Sequence, residues 1–222
     1  MTHAQQFKTP FVVGVVGGIA SGKSQVTRML GAMNATIISA DEIAHRVLLE
    51  PEVIDSLVEI FGKNILIENG DHPCLTQAID RKKLASLVFG DSADSQTMRK
   101  KLEAIVHPRI RQIAKSELET LKQDTSMHMI VLDAPLLIEG GWLPYCDRVI
   151  YVDSPDAMRK QRAIERGWSA QQWQDRESAQ LSLFEKKKHA TDVLVNDGTI
   201  EELTQRVFEL NGSWQSQCER AR

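Results

Sequence analysis

Apolar residues in this chain come in two patterns, short unbroken runs and helically spaced stripes, and their alternation predicts an α/β fold. The run Phe11-Val12-Val13-Gly14-Val15-Val16 follows the breaker Pro10 and reads as a strand buried on both faces. Val26, Met29, Leu30 and Met33 then recur at helical spacing. Ala35–Ser39, Met127–Asp133, Asp147–Asp153 and Asp192–Asn196 supply four more short runs, giving five strands of an expected parallel sheet. Thr199 and Glu202 have the spacing of a capping box for a last helix with Ile200, Leu203, Val207 and Leu210 on its apolar face. Beyond Gly212 the tail is polar and is expected to fray.

Between Glu50 and about Gln123 the strand–helix rhythm stops. Pro51 opens a helix through Val53, Ile54, Leu57, Val58 and Phe61, ended by Gly62. Residues 69–73 form a turn-rich loop, and a short helix from Asp80 is expected to stop at Gly90. Leu102, Ile105 and Val106 make one stripe, and Ile110, Ile113, Ala114 and Leu118 make the next. Pro108 between them suits the first turn of a new helix, which leaves His107 at a junction, as a cap or as a substrate contact. So long a gap between strands reads as an inserted helical subdomain. The expected organisation is core 1–48, insert 49–123, core 124–154, helical lid 155–189 and core 190–222.

The chemistry begins after the first strand. Gly17-Gly18-Ile19-Ala20-Ser21-Gly22-Lys23-Ser24 has the spacing G-x-x-x-x-G-K-S of a phosphate-binding loop, set between a strand and a helix. The amides from Ala20 to Gln25 are expected to face an anion at the positive end of the new helix. Lys23 would reach the β- and γ-phosphates of a nucleotide, and the Ser24 hydroxyl would hold Mg²⁺. Asp133 closes the apolar run Ile130-Val131-Leu132 as a Walker B acid would, a second candidate for the metal.

Asp41 follows the second strand at the sheet's carboxyl edge, where ligands of open α/β sheets gather. It could accept a hydroxyl proton, or merely cap a helix starting at Glu42. Ser154-Pro155-Asp156 opens a later helix, with Ser154 as cap and Pro155 first. Arg159, Arg162 and Arg166 then share one of its faces, and Ser169 with Gln172 forms a capping box for the next helix. That pair reads as a mobile lid bringing guanidinium groups to a transferred phosphoryl group, against the alternative of a solvated basic face. Most of the run Lys186-Lys187-Lys188 is expected to be solvated.

Composition narrows the partners. A net charge of −3 disfavours general nucleic-acid binding, and no apolar run approaches bilayer-spanning length. Residues 1–10 lack a signal-peptide core, and Cys74, Cys146 and Cys218 have no metal-ligand spacing. Reduced thiols in a cytoplasmic protein, monomeric or weakly homo-oligomeric, are expected. A guanine-nucleotide switch would need Asn-Lys-x-Asp, which is missing from the sequence.

A P-loop kinase is therefore the reading, and at family level the chain resembles the dephospho-coenzyme A kinases. The matching pieces are Val16–Ser24, Ala40–Ala44, Phe61-Gly62, Asp80–Leu84, Val88-Phe89, Leu102–Pro108 and Asp133-Ala134-Pro135-Leu136-Leu137-Ile138-Glu139. Gln161-Arg162, Arg166, Arg176, Gln180 and Asn196-Asp197-Gly198 are similar in kind and order. The resemblance implies a P-loop NTPase fold, a five-stranded parallel sheet flanked by helices, with an inserted dephospho-CoA domain and a helical lid. It implies ATP and dephospho-CoA as substrates, Mg²⁺ as cofactor, and no nucleic-acid or membrane partner. Asp41 becomes the acid facing the acceptor hydroxyl, Lys23 and Arg162 the charge stabilisers, and Arg81, His107 and Glu139 the substrate contacts. Another nucleotide or small-molecule kinase on the same core is the alternative. Three residues depart from the family pattern: Ser39 stands for Asp, His45 for Arg, and Ala20 for the third glycine of the loop. Residues 71–79 resemble a short insertion.

Overall fold

A computed structural model describes residues 10–67, 78–89, 92–124, 126 and 128–220, without the side chains of 217–220. The turn-rich loop at 69–73, the stop at Gly90, Cys74 and the Cys218 side chain lie outside what is described. The chain divides into two compact units, with the boundaries after Ser39 and after Glu117.

The first unit carries the sheet. Strands β1 (Phe11–Gly17), β2 (Ala35–Ser39), β3 (Met129–Asp133), β4 (Arg148–Asp153) and β5 (Asp192–Val195) lie all parallel in the order β2-β3-β1-β4-β5. β1 is central, paired through Phe11–Met129 on one side and through Gly17–Val152 on the other. That burial on both faces is why its sequence is nearly unbroken valine. Helices α1 (Lys23–Ala32) and α9 (Ile200–Arg220) cover one face. There Val13, Val15, Met129, Val131, Ile150 and Val152, alternate residues of three strands, pack with Val26, Leu30, Leu203 and Val207.

The expected fraying after Gly212 is not found: α9 continues to Arg220. Trp214 is the reason. It is 1% exposed, its ring stands edge-on to Phe11 at 5.7 Å, and its Nε1–H donates to Asp192 Oδ1 at 3.1 Å. One buried indole outweighs the polar residues around it.

The same unit holds α6 (Asp156–Glu165), α7 (Ala170–Ser178) and α8 (Leu183–Lys188). Both capping boxes read from sequence form, at Ser169–Gln172 and at Thr199–Glu202. Ser154 does not cap α6. Pro155 keeps ψ at 140°, so the helix starts one residue later than expected and the buried Ser154 hydroxyl is free to accept from Arg162.

The second unit is helical: α2 (Ala40–Val47), α3 (Pro51–Phe61), α4 (Arg81–Val88) and most of α5 (Ala93–Lys122). α3 has the predicted ends, with Gly62 at φ 80° just past it. The Asp80 carboxylate caps α4, accepting from the amides of Lys82 and Lys83. Leu66 and Ile79 form an isolated antiparallel bridge.

The expected break at His107-Pro108 does not occur, because α5 runs straight through Pro108. An interior proline costs ~3 kcal/mol through its missing N–H and its ring. Val106, Ile110 and Leu118, spaced by multiples of four, are buried, and each contributes ~1.5–3 kcal/mol. Burial of that stripe exceeds the cost of the proline, so the breaker rule loses.

Candidate active site

The loop Gly17–Gly22 leaves the carboxyl end of the central strand; β1 connects onward to β2 on one side while its neighbour β3 connects to β4 on the other, the switch point at which open sheets form a crevice. Its conformation is set by side chains that seize its carbonyls one after another. Lys23 Nζ donates to Gly17 O at 3.2 Å and Gly18 O at 3.0 Å. Arg159 Nη1 reaches Ile19 O at 3.4 Å, and Arg162 Nη1 reaches Ala20 O at 3.4 Å. Asn196 Nδ2 donates to Ser21 O at 2.7 Å. Five successive carbonyls are thereby turned towards protein donors. Among the described residues the amides of Ala20, Gly22, Lys23 and Ser24 donate to no protein acceptor. Such a row at a helix start is suited to an anion.

The glycines are required by these side chains. A Cβ on Gly18 would lie 2.1 Å from Arg159 Nη1, and one on Gly22, at φ 102°, would lie 2.3 Å from Asn196 Nδ2. Ala20 is the exception: φ is 58°, a left-handed conformation costing an alanine ~1 kcal/mol. Its methyl is buried with Ile19 and Ala163, against Trp168 and Trp173. In this way α6 and α7 are docked directly on the loop.

Electrostatics follow from that burial. Desolvation pushes the Lys23 ammonium down to about 8, with the nearby Lys186 cation adding to the effect. Asp133 and Glu177 oppose it. Lys186 itself is 3% exposed, bonded to Gln180 Oε1 at 2.6 Å, and lowered first by burial. The expectation that the lysine run is mostly solvated therefore fails at Lys186, while Lys187 and Lys188 are exposed. Lys187 pairs with Asp153 at 2.8 Å.

The three lid arginines have three different environments. Arg159 is 2% exposed and ion-paired to Asp156 and Glu177; Arg162 is half-buried on Ser154 Oγ at 3.0 Å; Arg166 is exposed at the end of α6. Gln25 is half-buried and accepts from Arg28, and Ser24 is exposed. Asp133 ends β3 in register with Ser39. Glu139 is exposed, and its Oε1 accepts from the Leu181 amide at 2.8 Å. In the helical unit, Asp41 lies inside the first turn of α2 rather than at its cap, exposed and without a hydrogen bond or ion pair among the described residues. Arg81 is exposed at the start of α4, and His107 is half-buried within α5.

Three residues at the loop are given no part in the site by the sequence reading: Glu177, Lys186 and Ser154. Ser154 was legible only as a cap, and a lone acid in a polar helix has no periodic signal at all.

Magnesium with a nucleotide keeps several waters and takes few protein oxygens. An exposed hydroxyl at Ser24 and a carboxylate at Asp133 close enough to raise the Lys23 pKa fit that modest demand. Among the described residues no cluster of three or more His, Cys, Asp or Glu could hold a metal alone, and no helix is long and apolar enough to cross a membrane.

The family model for dephospho-CoA kinase matches residues 11–202. The chain is 36% identical over 196 residues to a dephospho-CoA kinase of Rhodopirellula baltica, covering 88% of this chain and 87% of that one. It is 38% identical over 202 residues to a dephospho-CoA kinase of Geobacter sulfurreducens, covering 90% and 96%. The crystal structure of TT1252 from Thermus thermophilus superposes with a TM-score of 0.73 at 31% identity, over 92% of this chain and 97% of that one. The five-stranded parallel core with its phosphate loop is a P-loop kinase fold, and the chain belongs to the dephospho-CoA kinase family.

Proposed function

We infer that this chain transfers the γ-phosphoryl group of ATP to the 3′-hydroxyl of dephospho-CoA, giving coenzyme A and ADP. Beyond family membership, the observation that carries the reading is the phosphate loop itself. Its carbonyls are held by Lys23, Arg159, Arg162 and Asn196, with Lys23 buried beside it. With Arg159, Arg162 and Asn196 holding three of those carbonyls, the loop keeps its shape while Lys23 turns to the phosphates, which is how positioning lowers a phosphoryl-transfer barrier.

In the proposed step the ribose oxygen attacks Pγ in line, the Pγ–O bond to ADP breaks, and the hydroxyl proton passes to the Asp41 carboxylate. Residues 17–25, from Gly17 through Gln25, bind ATP, with Lys23 exchanging its loop carbonyls for the β- and γ-oxygens. Arg162 stabilises the equatorial charge. Arg159 and Arg166 serve the lid, and Arg81, His107 and Glu139 contact dephospho-CoA. Mg²⁺ would be held by Ser24 directly and by Asp133 directly or through water, and when bound it neutralises phosphate charge. The cytoplasm is the proposed site of action, as a monomer or weak homo-oligomer.

The test is an ATP-consumption assay offering dephospho-CoA, AMP, shikimate, gluconate and pantothenate, with the product identified by mass. Turnover with dephospho-CoA alone is expected. Turnover with another acceptor and none with dephospho-CoA would overturn the reading.

A further inference from the structure

The Ile19 residue of the loop is gripped at both of its backbone groups by one ion pair. Its N–H donates to Glu177 Oε2 at 3.1 Å, and its carbonyl accepts from Arg159 Nη1 at 3.4 Å. The same Nη1 donates to Glu177 Oε1 at 2.6 Å, closing a ring of two side chains around a single residue. Arg159 is anchored further by Asp156 Oδ1 at 2.5 Å and lies 5.4 Å from the Trp173 ring, so it has little freedom to follow a moving loop. The next residue is Ala20, the one loop position at which a side chain is carried in left-handed backbone.

We propose that Arg159 and Glu177 are positioning residues for the phosphate loop, clamping Ile19 so that Ala20 keeps the left-handed conformation on which the ATP-facing row of amides depends. The physical logic is that of a preference opposed by a constraint. Left alone, an alanine favours negative φ, and a relaxed loop would rotate the Ile19–Ala20 and Ala20–Ser21 peptides out of line. Glycine at 20 would need no such constraint. With alanine there, the ring around Ile19 fixes the peptide plane entering Ala20, while Arg162 on Ala20 O fixes the plane leaving it. Neither Arg159 nor Glu177 needs to touch the nucleotide for this. Their ionic charge is used between themselves and with Asp156, and their effect passes through the backbone.

The proposal rests on the kinase reading only in naming ATP as the ligand. Its test therefore reads ATP binding alone, by titration calorimetry with no acceptor present, and then KM for ATP and kcat. Four proteins form a cycle: the parent, Glu177→Ala, Ala20→Gly and the double variant. Glu177→Ala is expected to weaken ATP binding and raise KM about tenfold while kcat falls less than threefold. In the Ala20→Gly background the same change is expected to cost less than threefold. A pair that merely staples α7 to the molecule would give equal losses in both backgrounds, and equal losses would overturn the proposal. So would unchanged ATP binding in Glu177→Ala. Because removing the acid leaves Arg159 buried without a full partner, Glu177→Gln is the companion variant. Its amide oxygen can still accept from Ile19, and an intermediate loss that Ala20→Gly also suppresses is expected. A Glu177→Gln loss that Ala20→Gly leaves intact would overturn the proposal even if Glu177→Ala fails to fold. Parent protein that binds ATP yet leaves dephospho-CoA untouched would sink the functional reading while this cycle still reported.

Discussion

The phosphate loop and the candidate acceptor residues are built on opposite principles. Around the loop, five carbonyls are tied to side chains from α1, α6 and the end of β5; of the charged donors Arg159 is buried and Lys23 and Arg162 are half-buried. In the helical unit, Asp41 and Arg81 are exposed, and Asp41 has no fixed partner among the described residues. The difference teaches where each half of the reaction gets its precision. The phosphate loop is organised by the protein's own side chains, whereas Asp41 and Arg81, the acceptor residues proposed above, would gain their geometry from substrate.

The largest expected effect would break that contrast if it failed. Asp41→Asn removes the proton acceptor and is expected to lower kcat by ~10²–10⁴-fold, with ATP binding near normal. Single-turnover kinetics and calorimetry with ATP together check it, and unchanged turnover removes Asp41 from the mechanism. Next comes Arg162→Ala, which takes away both a brace on Ala20 O and a cation. A kcat loss of ~10²-fold, exceeding the loss in ATP affinity, is expected if its main work is at the transition state. Equal losses would make it a part of the preformed loop instead.

Titration sharpens the donor half. Lys23 is held at about 8 in the fold against 10.5 as the ordinary value. Between those values the unfolded chain binds a proton that the fold does not, so stability rises with pH across about 8 to 10.5 and carries a deficit below. Lys23→Met is expected to be more stable than the parent near neutral pH and to lose that advantage towards pH 10, measured by denaturant melts. ATP phosphates placed at Lys23 would reverse the shift, so binding above pH 8 is expected to take up a proton. Calorimetry in two buffers of different ionisation enthalpy reads this, and equal heats would refute it. The smallest effect is Arg166→Ala. With the side chain exposed, kcat is expected to fall only a few-fold, and a loss as large as that of Arg162 would show that the lid reorganises before transfer.

Local chemistry was legible in the sequence wherever neighbours in the chain are neighbours in space. The valine run, the Gly-Lys-Ser turn and both capping boxes are of that kind. Pro108 misled because a local rule met a distant reward, the burial of Val106, Ile110 and Leu118. Trp214 misled because its partners Phe11 and Asp192 lie on strands far away in sequence. Glu177 and Lys186 had no legible sign, since an acid or a lysine in a polar helix looks solvated until the fold supplies a counter-charge. Ala20 is the reverse case: the sequence marks it as unusual, but only the backbone angle of 58° says how.

The contact between Phe11 and Trp214 also sets a clock. Synthesis at about 5–20 residues per second takes roughly 10–40 s to cover the stretch between them. Throughout that interval the central strand exists without its full set of neighbours, and β3 and β4 themselves arrive only after the whole helical unit has been made. A seven-residue valine-rich segment waiting on the ribosome is the sort that pairs with other chains. The nascent protein is thus exposed to aggregation through the very strand that leads into its phosphate loop.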